Sequence, residues 1–196
     1  RCLLARLDRE GVRVIVHARN RGLAAARNSG FAAATTDYVV NLDADDLWTP
    51  DFCENMAGKL DADPKLGFVT CALRAFGGAA YDWTPLAPEP VTIYVRGGPH
   101  SSTMMRRSLW QAVGEIDGSL RGYEMTDFWL RALARGFRGT TLDSSLLRYR
   151  IRNRSYYTRE LDCYGDFMAA ITARHRDLLV PHTARIIIER EQFRRE

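Results

Sequence analysis

Three aspartates lie within four positions of this 196-residue sequence, at Asp43, Asp45 and Asp46. They directly follow residues 38–42, a short apolar run that is typical of a buried strand. In open α/β sheets, ligands bind at the edge where the strands end at their carboxyl side. Two carboxylates about 4 Å apart repel each other by roughly 4 kcal/mol at an effective dielectric constant of about 20. The spacing therefore predicts that a positively charged group lies between these acids.

The carboxylate oxygen is a hard ligand, so the cluster favours Mg²⁺ or Mn²⁺ bridging to a substrate phosphate over Zn²⁺. The alternative is a solvated acidic turn that caps the next helix. For Asp46 the sequence favours neither interpretation over the other. Thr49 and Pro50 are typical of the N-cap and the first position of such a helix.

The residues before the cluster predict a strand and a helix. Residues 12–16 are β-branched and alternating, which indicates a strand. Residues 23–34 are alanine-rich and indicate a helix, interrupted at Gly30. Strand, helix and the strand at 38–42 would form a βαβ unit in a parallel sheet. Arg27 would then lie near the ligand edge, although taken alone it is more typical of a surface salt bridge.

Farther along the chain, the pattern predicts alternating strands and helices around one irregular stretch. Strands are expected at 66–73, 101–106, 138–142 and 146–154, a long loop at 76–98, helices at 109–113, 122–136 and 157–175, and a further helix from 182. Leu3, Leu4 and Leu7 have helical spacing, and the last residues are also helical in pattern. The chain therefore looks like a fragment of a longer protein. The last helix could pack against a further domain or rest near an anionic membrane, and the sequence does not decide between them.

Composition excludes several classes of protein. The chain has 46% hydrophobic and 27% charged residues, and a net charge of +4. Its four cysteines show no CxxC spacing, so neither a zinc motif nor a disulfide framework is indicated, and a reducing compartment is expected. No apolar run of about 18 residues and no signal-peptide pattern occurs. We expect one domain with a sizeable core.

Two motifs in succession resemble the family 2 glycosyltransferases of GT-A fold. They read Asn20-Arg-Gly-Leu-Ala-Ala-Ala-Arg27-Asn28-Ser-Gly30 and Asp37-Tyr-Val-Val-Asn-Leu-Asp43-Ala-Asp45-Asp46. The resemblance implies an α/β, Rossmann-like and mainly parallel sheet flanked by helices, which lacks its N-terminal βαβ unit here. A partial GT-A domain would cover residues 1–155, and a helical extension residues 156–196. Asp43 and Asp45 would bind the metal, while Arg27, Asn28 and Asp43 would bind the donor.

A third segment bears on the catalytic base. Glu124-Met125-Thr-Asp127 resembles the family pattern Glu-Asp-x-Asp, in which the residue after the glutamate is the general base. Met125 cannot accept a proton, and losing a positioned base costs ~10²- to 10⁴-fold in rate. Glu124 and Asp127 lie three residues apart on one helical face, so both are candidate catalytic residues, Asp127 slightly preferred. Alternatively, both acids merely complement the positive end of the helix.

A fourth segment resembles the family's Tyr-Arg-x-His-x-x-Ser stretch beside the diphosphate, with Arg152 in place of the histidine. Arginine keeps a phosphate contact but cannot bind a metal as a neutral imidazole can. Strand alternation places four arginines on one face, as an anion-binding row or as a solvated face. They are Arg148, Arg150, Arg152 and Arg154.

The resemblance implies a metal-dependent inverting glycosyltransferase of hexosyl or N-acetylhexosaminyl type, acting in polysaccharide or glycan synthesis. The implied cofactor is Mg²⁺ or Mn²⁺, the donor a nucleotide sugar, foremost a UDP-sugar, and the acceptor a glycan, lipid-linked or other hydroxyl. No nucleic acid is expected as partner. The expected location is cytoplasmic, with peripheral membrane contact as one alternative. Two other hypotheses stay open: a non-catalytic relative that binds nucleotide sugars, favoured by Met125 and Arg152, and a nucleotidyltransferase of similar fold.

Overall fold

The computed structural model describes residues 12–152 and 164–195. Within these residues, six strands form one sheet. In chain order the strands are β1 Tyr38–Val39, β2 Leu47–Trp48, β3 Leu66–Gly77, β4 Asp82–Trp83, β5 Met104–Arg106 and β6 Arg138–Ile151. The helices are α1 Leu23–Ala33, α2 Phe52–Ala62, α3 Pro90–Arg96, α4 Arg107–Val113, α5 Glu124–Ala134, α6 Tyr164–Arg174, α7 Arg176–Leu179 and α8 Thr183–Phe193. A single 3₁₀ turn, Val180–His182, joins α7 to α8.

The sheet is organised around β3 and β6. The strand order is β1-β5-β3-β6-β2, and β4 pairs with β3 next to β5. β3 and β6 are parallel, whereas the other pairings among the described residues are antiparallel. The predicted α/β class is confirmed, but the sheet is mixed rather than mainly parallel, because β5 enters between β1 and β3 in the opposite direction.

Helices cover both faces of the sheet, so the central strand is buried on both sides. Phe68 of β3 packs into a core cluster with α1, α4, α5 and α6. Val69 and Leu73 face a second cluster with α2. A Cβ atom at Gly139 would lie 2.2 Å from the Phe68 ring. Glycine at this position therefore allows β6 to approach β3 beside the buried ring.

The predicted strand at 12–16 does not form, and the predicted βαβ unit is wrong in this respect. Residues 12–17 have no regular secondary structure. The side chains of Val12, Ile15 and Val16 are 49%, 44% and 76% exposed. A strand needs a hydrogen-bonded neighbour, and no described strand pairs with this segment.

Other differences concern the ends of elements. Only Tyr38 and Val39 of the predicted strand at 38–42 join the sheet. α1 runs through Gly30, where an added Cβ would meet nothing within 4 Å. α2 begins at Phe52 rather than at Pro50, and the Thr49 carbonyl accepts a hydrogen bond from the Phe52 amide.

The stretch at 76–98 is less irregular than predicted, because it contains α3 and β4. The two strands predicted at 138–142 and 146–154 are one strand, β6, with shifts of register along its pairing with β3. The predicted boundary between residues 155 and 156, the helical spacing at Leu3 to Leu7, and Arg154 all lie outside the described residues.

The C-terminal helices differ from one another in burial. Met168 and Ile171 of α6 belong to the same core cluster as Phe68. In contrast, no residue of α8 is buried, and Ile187 and Ile188 are more than half exposed. In the part of the chain described, every helix is too short or too polar to cross a membrane.

Candidate active site

Asp43 lies just after β1, where four hydrogen bonds hold its carboxylate. Arg27 reaches it from α1 and donates through Nη2 to both carboxylate oxygens, at 3.0 and 3.2 Å. Asn41 donates to Oδ1 and Ser101 to Oδ2, each at 2.9 Å. The Arg27 side chain is only 7% exposed. Its Nε is buried without a partner among the described residues, so one N–H of this guanidinium is not engaged.

Asp43 is ionised because of these neighbours. Burial alone would raise the pKa of its carboxyl group, since a charged group is less stable away from water. The Arg27 charge and the hydrogen bonds from Arg27, Asn41 and Ser101 outweigh burial and hold the pKa below its ordinary value. The first acid of the cluster is therefore a fixed negative charge with its own counter-charge.

Asp45 has a different partner, from the other side of the site. Arg152, just beyond β6, lies with its Nε 2.9 Å from Asp45 Oδ2. The two side chains are 59% and 30% exposed, so this ion pair is open to water. The Asp45 backbone carbonyl accepts a hydrogen bond from Arg150 Nε at 3.0 Å. The carboxylate and the backbone of Asp45 are thus held by two different arginines.

Asp46 is buried, with one carboxylate oxygen unsatisfied. Its Oδ1 accepts a hydrogen bond from the Arg150 backbone amide at 2.8 Å, and its Oδ2 has no partner among the described residues. Burial, with the charges of Asp43 and Asp45, raises the pKa of Asp46 to about 6. Asp46 does not cap α2, since Asp51 is at that N-cap and makes no side-chain capping bond. Asp46 therefore has no ion-pair partner among the described residues, unlike Asp43 and Asp45.

A cavity of about 540 Å³ opens beside Asp43. Arg27, Asn41 and Asp43 contribute its polar groups, and Leu23, Phe31 and Tyr38 are among its apolar ones. Cavities of this size are typical for small ligands and cofactors. The pair of a buried Arg27 and a half-buried Asp43 therefore borders a space large enough for a small ligand.

The aspartate cluster offers oxygen ligands for a divalent cation. Among residues 12–152 and 164–195, no group of three or more His, Cys, Asp or Glu side chains is placed to hold a metal. Mg²⁺, however, usually keeps water ligands and binds through one or two carboxylates plus substrate phosphates. The hard oxygens of Asp43 and Asp45, together with the unsatisfied oxygen of Asp46, match that chemistry. The residues fit a cation that binds together with a diphosphate.

Asn28 holds two segments of the protein together. Its Nδ2 donates to the Ile116 carbonyl, and its Oδ1 accepts from the Ile116 amide, each at 2.9 Å. The side chain is buried. Its amide makes two hydrogen bonds with the turn that follows α4, and the predicted contact of Asn28 with the donor stays a prediction.

The two candidate bases on α5 occupy different environments. Asp127 is 1% exposed, its Oδ2 accepts from Arg131 Nε at 2.8 Å, and its Oδ1 lies 3.0 Å from His175 Nε2. Burial would raise the pKa of Asp127, but His175 and Arg131 hold it below its ordinary value. Asp127 therefore joins α5 to the residue that follows α6.

Glu124 is also buried, at 3% exposed, but it borders a second cavity, of about 420 Å³. Arg21 and Gly22 line one part of it, and Gly118 and Arg121 another. Leu23 lines this cavity as well as the one beside Asp43. Met125, at the family's base position, packs against the hydrophobic core. Of the three side chains, Glu124 is the one that borders a space next to the Asp43 cavity.

The arginine row is only partly observed. Arg148 and Arg150 lie on one face, as predicted, since their guanidinium carbons are 5.7 and 4.3 Å from the centre of the Phe76 ring. Arg150 and Arg152 reach the aspartate loop. The site thus brings together Arg27, Asp43, Asp45 and Arg152, while Glu124 and Asp127 lie on a separate helix.

Three residues that hold the aspartates were missed in the sequence. Asn41 could have been found, because residues 41 and 43 lie on the same side of an extended chain. The sequence predicts Arg150 only as a member of the arginine row, because its backbone bond to Asp46 joins positions 104 residues apart. Ser101 is 58 residues from Asp43 and carries no local signal.

Comparison with known proteins gives consistent results. Residues 3–171 match the family model described as Glycosyl transferase family 2. EpsE of Bacillus subtilis (strain 168) is 28% identical over 190 residues, which cover 93% of this chain and 68% of EpsE. S. aureus TarS, solved with UDP-GlcNAc, superposes with a TM-score of 0.67 at 13% identity, over 88% of this chain and 52% of that one.

A second solved structure is the mannosyltransferase PcManGT from Pyrobaculum calidifontis in complex with GDP-Man and Mn²⁺. Its TM-score is 0.58 at 21% identity, over 88% of this chain and 46% of that one. These likenesses confirm the predicted GT-A fold. This chain spans about half the length of both solved structures.

Proposed function

The chain belongs to glycosyl transferase family 2, and from this premise we propose that it transfers a sugar from a nucleotide diphosphate sugar to an acceptor hydroxyl with inversion. The observation that carries the proposal is the ionised Asp43, held by the buried Arg27 at the mouth of a cavity. A fixed pair of opposite charges beside a cavity suits a ligand that carries both a diphosphate and hydrogen-bond donors.

Each residue of the cluster has a proposed task toward the donor. Asp43 and Asp45 would hold Mg²⁺ or Mn²⁺ against the diphosphate, and Arg27 and Arg152 would supply guanidinium groups to the donor. When bound, such a cation supplies Lewis-acid stabilisation of the leaving diphosphate. Arg27 also keeps Asp43 ionised, and Arg150 fixes the backbone of the loop. Asn28 supports the site indirectly, by holding α1 against the turn at Ile116.

Glu124 is the proposed general base. Inversion in one displacement requires a group that takes the proton from the acceptor hydroxyl as it attacks. Glu124 borders a cavity that adjoins the Asp43 cavity at Leu23. Asp127 has both oxygens engaged by Arg131 and His175, so its proposed task is to position α5.

The donor and the acceptor are proposed by class. TarS was solved with UDP-GlcNAc, and PcManGT with GDP-Man and Mn²⁺. We favour a UDP-activated hexose or N-acetylhexosamine as donor, and a glycan, lipid-linked or other hydroxyl as acceptor, in polysaccharide synthesis. A cytoplasmic location, with or without peripheral membrane contact, stays a prediction.

The test is a donor screen with the full-length protein. UDP- and GDP-sugars are incubated with Mn²⁺, with and without simple glycan acceptors, and release of the nucleoside diphosphate is measured. We expect turnover of one donor class, and loss of that turnover in Asp45→Asn. Binding of nucleotide sugars without release or transfer, for every acceptor tried, would contradict the proposal.

A second candidate is a non-catalytic binder of nucleotide sugars, and one observation favours it. Met125 stands at the family's base position and packs against the core. Under this alternative, donor would bind at the aspartate cluster without turnover, and Glu124→Gln would leave that binding unchanged. No observation on the described residues favours the nucleotidyltransferase hypothesis.

A further inference from the structure

Two ion pairs hold the first two aspartates, and they differ in exposure. In the Arg27–Asp43 pair the arginine is 7% exposed, whereas in the Arg152–Asp45 pair the arginine is 59% exposed. Arg27 comes from the middle of a helix packed in the core, and Arg152 from beyond the last residue of β6. One pair is therefore a fixed part of the fold, and the other can open at little cost.

The exposed ion pair occupies the Asp45 carboxylate, which a divalent cation would also need as a ligand. Arg152 Nε is 2.9 Å from Asp45 Oδ2, within hydrogen-bond distance. A cation on the same oxygen would meet the guanidinium charge at close range, and like charges at that distance repel. Arg152 and the cation thus compete for Asp45.

We propose that Arg152 is the resident counter-cation of Asp45, which gives up that carboxylate to the divalent cation and pairs with the donor diphosphate instead. This inference rests on the proposed function. Exposed ion pairs contribute little to stability, so the exchange needs no large rearrangement. Each charge has a partner before and after: Arg152 moves from a carboxylate to a phosphate, and Asp45 from a guanidinium to the cation.

The backbone around Asp45 is held independently of this exchange. Arg150 donates from Nε to the Asp45 carbonyl at 3.0 Å, and from its amide to Asp46 Oδ1 at 2.8 Å. These bonds fasten the loop to β6. Release of Arg152 therefore moves one side chain and leaves the backbone of Asp45 in place.

The exchange couples metal binding to donor binding. Without nucleotide, the cation must displace Arg152 from Asp45; with nucleotide present, the displaced arginine gains the diphosphate. Each ligand therefore increases the affinity of the other, and by linkage the two factors are equal. A neutral residue at position 152 would weaken this coupling.

The experiment measures Mn²⁺ binding by electron paramagnetic resonance, with full-length protein, in the absence of nucleotide and with saturating UDP. The variant is Arg152→Gln, and the matched control is Arg138→Gln, an exposed arginine at the other end of β6. In Arg152→Gln we expect Mn²⁺ alone to bind about three- to tenfold more tightly, because an exposed ion pair and a repelling charge are removed. UDP with Mn²⁺ should bind about tenfold more weakly, the scale of a charge-assisted hydrogen bond.

The proposal predicts that Arg152→Gln changes the affinities for Mn²⁺ alone and for UDP in opposite directions. Mn²⁺ alone binding Arg152→Gln no more tightly than the parent would overturn the proposal, even if UDP binding weakens, since Arg152 would then be a phosphate ligand only. Asp45→Asn separates this outcome from failure of the proposed function. If Asp45→Asn binds Mn²⁺ with UDP as well as the parent does, the metal assignment is wrong, and the exchange falls with it.

Discussion

The molecule contains two groups of acids, the loop with Asp43, Asp45 and Asp46 and the helix with Glu124 and Asp127, and the two are neutralised in different ways. Asp127 is enclosed by Arg131, four residues along the same helix, and by His175 beside it. Asp45 relies on an exposed arginine from another element, and Asp46 keeps an unsatisfied oxygen.

The difference shows how acids that stabilise the fold can be told from acids that await a ligand. Asp127 is 1% exposed with both oxygens engaged, and its lowered pKa and its contacts with Arg131 and His175 make it part of the fold. A buried carboxylate beside other acids, with one oxygen unsatisfied, has a raised pKa and costs stability. Such a cost is typical of functional sites. Mutation of an acid that stabilises the fold should therefore lower stability, whereas mutation of an acid that awaits a ligand should not.

The largest effect is expected at Glu124. Removing a positioned base costs ~10²- to 10⁴-fold in rate. Glu124→Gln should therefore lower the transfer rate at least ~100-fold while the affinity for the donor stays unchanged. Transfer kinetics and calorimetry with the donor measure the two quantities. Glu115→Gln, an exposed glutamate outside the cavity, is the control. Full transfer activity in Glu124→Gln would remove it as the base.

Asp127→Asn should act on stability instead. The amide cannot neutralise Arg131, and breaking a buried pair is costly, so we expect a loss of about 2–4 kcal/mol in the free energy of unfolding. Because the pKa of Asp127 is lowered in the fold, its contribution is present above the ordinary value of 3.8 and is lost as pH falls through the folded value. As the pH is lowered, the free energy of unfolding of Asp127→Asn should therefore fall less than that of the parent.

Urea unfolding at pH 7 and at several pH values below 5 measures this contribution, with the exposed Asp177→Asn as control. If Asp127→Asn keeps the parent's stability but loses transfer ~100-fold, Asp127 rather than Glu124 would be the base.

Asp46→Asn should raise the free energy of unfolding, by less than Asp127→Asn lowers it. Burial raises the pKa of Asp46 from 3.8 to about 6, so the fold is penalised as pH rises through that range. At 1.36 kcal/mol per pKa unit the penalty is at most roughly 3 kcal/mol, and we expect the variant to gain about 1–2 kcal/mol at pH 8 without metal.

In the Asp46→Asn variant, most of the gain should be lost near pH 4, because the folded parent's carboxyl group is then protonated and that of the unfolded chain is partly protonated. Thermal unfolding at pH 4 and pH 8 provides the comparison, with the exposed Asp166→Asn as control. A loss of stability at pH 8 would mean that the unsatisfied oxygen has a partner in solution.

Sequence reasoning located the local parts of this arrangement. The apolar run before Asp43 and the alanine-rich helix with Arg27 are both signals within a few residues, and the structure brings the two side chains to 3.0 Å. Strand direction could not be read in the same way: β1 has the composition of a parallel strand, but its neighbour β5 comes from more than 60 residues away and is antiparallel.

Partners distant in sequence account for the remaining differences. Ser101 and the Arg150 amide reach the aspartates only because β5 and β6 fold beside them. The strand predicted at 12–16 has the right composition, but no described strand pairs with it. The sequence slightly favours Asp127 over Glu124 because the resembling family often keeps an acid there and its side chain is shorter, whereas the contacts with Arg131 and His175 determine what Asp127 can do.

The central claim is that the aspartate loop binds the diphosphate of a nucleotide sugar together with a divalent cation. Calorimetry of UDP binding to the full-length protein, with Mn²⁺ and with EDTA, tests it most directly when the parent is compared with Asp45→Asn. We predict that Mn²⁺ strengthens UDP binding to the parent at least about tenfold, that Asp45→Asn abolishes this gain, and that the variant unfolds like the parent. An unchanged Mn²⁺-dependent affinity in a folded Asp45→Asn variant would contradict it.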